Sequence, residues 1–273
     1  MDGLSQHGRV VDIPGEGLNE GYIYSFVYVD AGRKTHKKEE TKMAKIHTGN
    51  VERRLTAIFS EIGMDYGFND VSAEFSEFSE FKVEWYRDED IAEFEVSDYI
   101  IDAPRGVLEI LAKAMFSKIT LNESVGYHGE FKDYVTSEVF ARKNQATYVG
   151  RNRSLTGSAQ GNFKNLDDSF NRLVDAGLLE DDPTLFVSWS KKKDLYEMGM
   201  ASALMRVVGI SAIFDNADVP DFVLDYKMYQ HCRNAIEGRR NFGESGWNGD
   251  LSKDFPRADE ASGWIDKNLH RFA

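Results

Sequence analysis

Residues 218–240 read DVPDFVLDYKMYQHCRNAIEGRR. Proline in the first turn of a helix forfeits no hydrogen bond and presets φ, so the sequence predicts a helix that begins at Pro220. Val223, Leu224, Met228, Cys232 and Ala235 follow at helical spacing, which gathers them on one face and marks that face as buried. Gln230, His231 and Asn234 interrupt the apolar pattern, and buried polar groups need partners.

The run VP..VLDY..Y, preceded by the strand-like residues 207–211, resembles the SprT-like zinc metalloprotease family. There the segment reads roughly I-S-x-x-L-D-x-x-x-V-P-x-x-V-L-x-Y-V-L-Y-H-E-x-x-H. Aligned on Pro220, Val223, Leu224, Tyr226 and Tyr229, the first His of the family falls on Gln230, its Glu on His231 and its second His on Asn234. In HExxH two imidazoles four residues apart project from one helix face onto one zinc, while the Glu takes a proton from the zinc-bound water. Gln and Asn amides are poor zinc ligands. His231 lies one position, about 100° of helix, from the ligand direction. The resemblance thus implies a zincin-like fold whose three motif positions are vestigial, with no catalytic residue, no metal ligand and zinc lost.

The resemblance extends on both sides. Leu166, Phe170, Asn171 and Leu173 match the family's opening helix, Pro183, Leu185, Val187, Trp189 and Ser190 its P-x-L-x-W-S strand, and Gly199 the turn into its next strand. Phe255, Pro256, Ala261 and Trp264 match a terminal F-P-x-x-x-x-A-x-x-W helix. The third zinc ligand should stand in an H-x-x-x-F context within about twenty residues of the metal helix, yet residues 242–255 hold no His. His128 resembles an H-x-x-F piece, although a lone surface or capping His is the plainer reading. Asp250 can ligate a metal but also suits a helix cap. His128, Cys232 and Asp250 are therefore candidate residues of a retained cleft, and a metal-dependent peptidase using His231 and Cys232 with His128 or Asp250 is the alternative reading.

The 273 residues carry a formal net charge of −13, 41% hydrophobic and 12% aromatic residues, enough for a packed core. The charge opposes close approach to a phosphate backbone. It argues against nucleic acid as a partner and so against a third reading, a protein of nucleic-acid repair like the crosslink-repair members of the family. No apolar run suits a membrane span and the polar N-terminus lacks a signal-peptide core, so a cytoplasmic location is expected. Cys232, the single cysteine, excludes an internal disulfide.

Residues 1–20, rich in Gly, are expected to be poorly ordered. Residues 22–29 suit a strand, and the basic run 33–45 a solvated loop or arm. Asn50 can cap a helix carrying Leu55, Ile58, Phe59 and Ile62, with Gly63 as its stop. Three strands follow at 71–75, 81–86 and 91–97, with the intervening glutamates facing water, then a helix over 104–119. A helix is predicted over 127–140. The Gly- and Ser-rich residues 146–162 suit a linker or mobile loop, and Gly150, Gly157 and Gly161 lack phosphate-loop spacing.

Val96, Ser97, Asp102, Pro104, Val107, Leu108 and Glu109 match Ile210, Ser211, Asp215, Pro220, Val223, Leu224 and Asp225, with Pro-x-x-Val-Leu at identical spacing. Duplication and coincidence both remain open as explanations. On this register the motif positions of the first copy are Ala114, Met115 and Lys118. The expected organisation is an α+β protein with an N-terminal region over 21–145, a linker over 146–162 and a zincin-like domain over 163–273. The function it implies is an inactive SprT-like homologue that binds or scaffolds an unknown protein or peptide.

Overall fold

The computed structural model describes residues 6–11, 48–121, 127, 129–193, 195, 197–243 and 254–272. The architecture is α+β, in two compact units. The first takes in the described residues up to Tyr134 together with Gly243, and the second runs over Val135–Phe242 and the described residues of Gly246–Ala273. The division therefore falls before the Gly- and Ser-rich stretch expected to link them. The strand expected at 22–29 and the basic run at 33–45 lie outside the described residues.

In the first unit, helix α1 (Thr48–Asp65) leads into strands β2 (Asp70–Ser76), β3 (Lys82–Asp88) and β4 (Ile91–Ser97), then helix α2 (Arg105–Leu121). Strand β1 (Gln6–Val11) adds to the outer edge of β3, giving the order β1-β3-β4-β2. Residues 6–11 thus correct the expectation of a poorly ordered N-terminus. Local composition argued for disorder, whereas the edge of β3 offers an unpaired backbone ladder that a distant segment can satisfy. Burial alternates along the three strands: Val71, Ala73, Val83, Trp85, Ala92, Phe94 and Val96 are buried. Phe94 centres an aromatic cluster, with ring centroids 4.9 Å from Phe59 and 5.1 Å from Phe116. On the opposite face Glu84, Glu95 and Glu74 form one cross-strand row, with Glu95 and Glu74 exposed.

Two details of α1 differ from expectation. The helix begins before Asn50, and Gly63 lies inside it. A Cβ at Gly63 would stand 2.8 Å from both Phe116 and Val71, so this glycine permits close packing, and the chain turns out of the helix at Gly67, φ +87°.

The segment expected as one helix over 127–140 is two, α3 (Glu130–Val135) and α4 (Glu138–Arg151). Ser137 divides them, its side chain accepting a hydrogen bond of 3.1 Å from the Phe140 N–H as the N-cap of α4.

The second unit follows with α5 (Leu166–Asp175), β5 (Phe186–Ser190), β6 (Gly199–Ser202), β7 (Val207–Ser211), α6 (Asp221–Arg240) and α7 (Ala258–Asn268). Asn165 caps α5 as predicted, accepting from the Asp167 N–H at 3.0 Å. The sheet order is β5-β7-β6, and β7 is buried at every position.

The expected linker has a different role. Residues up to Arg151 complete α4, and the chain beyond runs beside β5: the Thr156 N–H donates to Trp189 O, the Trp189 N–H to Ser158 O and the Lys191 N–H to Ser154 O. Gly and Ser make it look mobile, but its backbone covers an open sheet edge. Asp215 pins the end of this loop by accepting from the backbone N–H groups of Asn162, Phe163 and Lys164 at 2.6, 2.9 and 3.0 Å. Burial alone would raise the Asp215 pKa, but these three donors hold it below the usual carboxylate range.

The same succession of helix, three strands, 3₁₀ turn and helix occurs in both units. In each the first strand pairs parallel with the third and the second antiparallel with the third. The third strand ends in Ser97 or Ser211, both fully buried, and a 3₁₀ turn follows, Asp98–Ile100 or Ala212–Phe214. Ser97 Oγ donates to Glu80 O at 2.9 Å and Ser211 Oγ to Lys192 O at 2.7 Å, in each case the loop leading to the second strand. Pro104 and Pro220 each immediately precede the last helix. One matched pair shifts: the turns set Asp215 opposite Ile101, not Asp102, because both are the residue that closes its turn.

Ser97→Ala and Ser211→Ala should each lower stability by about 1–3 kcal/mol, since each strands a carbonyl beside a buried site. Urea unfolding of the two single variants checks this, and unchanged midpoints would mean that the two hydroxyls do not hold the loops they bond.

Candidate functional site

Helix α6 begins after Pro220, whose extended φ of −63° and ψ of 145° set the direction of the chain. Val223, Leu224, Met228, Cys232 and Ala235 are all buried, as the periodicity predicts, and join the core with Leu166, Leu173, Val208 and Ile210. Burial extends further round the helix than the apolar stripe, to Tyr226, Lys227, Tyr229, Gln230 and His231. Asp225 ties α6 to α5: Arg172 Nε and Nη2 donate to its two carboxylate oxygens at 2.9 and 2.6 Å, and Ser169 Oγ adds a bond of 2.6 Å. Hydrogen bonding to Asp225 raises the Arg172 pKa. A planar fork on one carboxylate fixes the orientation of the two helices as a single contact cannot.

The three motif positions divide between two directions. Gln230 is buried, and its Nε2 donates to Tyr226 Oη at 3.0 Å. The Tyr226 and Tyr229 rings pack on Phe255, with centroids 5.5 and 5.6 Å away. Asn234, one turn beyond Gln230, is half-buried.

His231 turns toward β6: a Cβ built on Gly199 would meet His231 Nε2 at 2.5 Å and Gly209 O at 2.6 Å. Only a glycine leaves room for that ring. Burial, and then the neighbouring Lys227 ammonium, lower the His231 pKa from its ordinary value to about 3. The imidazole is neutral at physiological pH.

Cys232, next along the helix, points into the apolar core, and burial raises its thiol pKa. Successive helix residues diverge by about 100°, so His231 and Cys232 do not converge on one point. His128 and Asp250 lie outside the described residues. Among the described residues no three His, Cys, Asp or Glu side chains gather closely enough to hold a metal ion. The amides of Gln230 and Asn234 with one buried neutral imidazole do not fit the zinc centre that the family resemblance implies. What they can do is hydrogen-bond.

Sequence reasoning did not single out Lys227, a buried cation whose Nζ lies 5.4 Å from the Tyr226 ring centroid. Its position four residues before His231 was the available signal. Comparisons with the models of known protein families, with curated proteins and with solved structures find no match.

The depressed His231 pKa makes a signed prediction. Between about pH 6.5, the ordinary histidine value, and the folded value the unfolded chain binds a proton here that the folded chain does not. Stability from this group is therefore complete above that window and falls as pH drops through it, with a slope approaching about 1.4 kcal/mol per pH unit. His231→Gln should flatten the dependence between about pH 6.5 and 5 relative to the parent, since the carboxylates contribute alike to both chains. Chemical denaturation at a series of pH values measures it, and equal slopes in parent and variant would contradict the buried neutral ring.

Proposed function

We propose that this chain is a catalytically inactive homologue of the SprT-like zinc metalloproteases, acting as a binding or scaffold module for a protein or peptide partner. The reading rests on the resemblance of residues 166–269 to that family and is supported by the order helix, three strands, helix in the second unit. The observation that carries it is the state of the motif positions. Gln230 is engaged by Tyr226 where the first zinc ligand would stand, and His231 is lodged against Gly199 where the general base would stand. A base held neutral by burial beside a cation is poorly placed to take a proton from water.

The alternative ligand set of His231 and Cys232 gains no support from a thiol buried in the core beside an imidazole that faces elsewhere. The net charge of −13 weighs against nucleic acid as the partner. No helix among the described residues is long and apolar enough to cross a membrane.

Elemental analysis of the chain purified without added metal tests the reading. The expected result is far less than one zinc per chain, with a melting temperature that chelator leaves unchanged, because a bound structural zinc would contribute to folding. One zinc per chain, lost on chelation together with stability, would overturn it.

A further inference from the structure

The second unit holds a partly buried cationic cluster apart from the motif positions of α6, where the segments entering β5 and β7 meet the last turn of α6. Arg206 and Arg239 share one carboxylate, Asp182, at 3.9 and 3.6 Å, longer than a hydrogen bond in both cases. Asp182 Oδ1 is already committed locally, accepting from the Thr184 N–H at 2.9 Å and from Thr184 Oγ1 at 2.5 Å. Arg206 Nη1 donates in turn to Thr184 Oγ1.

The other charges that act on Arg206, Glu138 and Arg142 of α4, pair with each other at 2.6 Å. The two guanidiniums thus share the single carboxylate of Asp182. Burial and then the Arg239 cation pull the Arg206 pKa below its ordinary value.

Two further observations set Arg206 apart from an ordinary structural arginine. Its residue is 9% exposed, and its Nε is buried with no hydrogen-bond partner among the described residues. Its φ of +52° is in the left-handed region, which favours glycine, and the turn is held there by Gln145 Nε2, which donates to Thr184 O, Met205 O and Arg206 O at 2.9, 3.0 and 3.1 Å. Unfavourable backbone conformations persist where the surroundings over-determine them, and they concentrate at ligand-binding sites. Complementarity to the helix C-terminus accounts for Arg239 in the last turn of α6 but not for a second arginine buried beside it.

We propose that Arg206 and Arg239 form a binding site for a phosphate-sized oxyanion. Such a ligand, reaching the cluster from the side of Arg239, supplies a second negative charge and acceptors for guanidinium N–H groups that Asp182 does not satisfy. Arg239, whose side chain is 21% exposed, forms the open side of the site.

Thermal unfolding of the full chain with inorganic phosphate, titrated in the low-millimolar range at ionic strength held constant with sodium chloride, tests the proposal. The melting temperature should rise in a saturable way by at least about 2 °C, with sulfate acting alike. Arg239→Gln should abolish the rise, and Arg206→Lys, which keeps the charge but loses the fork, should raise the half-saturating phosphate concentration at least about tenfold. A phosphate curve that coincides with the chloride control, or an equal rise in Arg239→Gln, would overturn it. Broadening of the phosphorus resonance of phosphate by the unmodified chain gives a readout that needs no variant, and its absence would also overturn the site.

Discussion

A helix buried on most of its circumference has to satisfy its polar groups from within the fold, and α6 is such a helix. Its apolar stripe packs against β7, which is itself buried at every position, and against α5. Arg172 and Ser169 of α5 close on Asp225 and fix how the two helices cross. Once that orientation is set, the directions of Gln230 and His231 follow from helical geometry. One is carried to Tyr226, the other to β6, where Gly199 makes room for the ring. On the proposed reading, packing and hydrogen bonds stand where metal chemistry would need two ligands on one face and a free base between them.

The doubled succession of elements sharpens this contrast. The first unit has the same strand pairing, the same buried serine at the end of its third strand and a proline at the same place before its last helix. Its α2 bears Ala114 and Met115 at the positions of Gln230 and His231, both buried. Interlocking of the first and last helices recurs in altered form: Arg105 of α2 reaches Glu61 of α1 and Glu109 of its own helix, each at 2.5 Å. Those contacts are solvent-exposed and contribute little, whereas the Arg172–Asp225 fork is partly buried and also takes the Ser169 hydroxyl. The second unit is the more firmly organised around α6.

The order of elements was legible in the sequence because it rests on local signals: Pro-x-x-Val-Leu opening α2 and α6, the β-branched and aromatic runs of the strands, and Asn165 as a cap. The apolar face of α6 was legible for the same reason. What sequence reasoning missed depends on partners distant in the chain. β1 exists because the edge of β3 accepts it, the Gly- and Ser-rich loop is fastened by Asp215 and the edge of β5, and Gly63 is small because Phe116 and Val71 crowd it. Ser137 divided a helix that periodicity alone made continuous. At the candidate site the alignment gave the positions of Gln230, His231 and Asn234 but not the environment of His231, which requires knowing that β6 lies against α6.

The central claim is that α6 keeps the geometry of a metal-binding helix while its side chains have lost the chemistry. Cobalt titration of the variant carrying both Gln230→His and Asn234→His tests this most directly, since two imidazoles four residues apart on one face lie within reach of a single ion. The account predicts weak binding with visible ligand-field bands that the parent chain lacks. A spectrum indistinguishable from that of the parent, in a variant that remains folded, would mean that the two positions do not converge and would contradict the assignment of this helix.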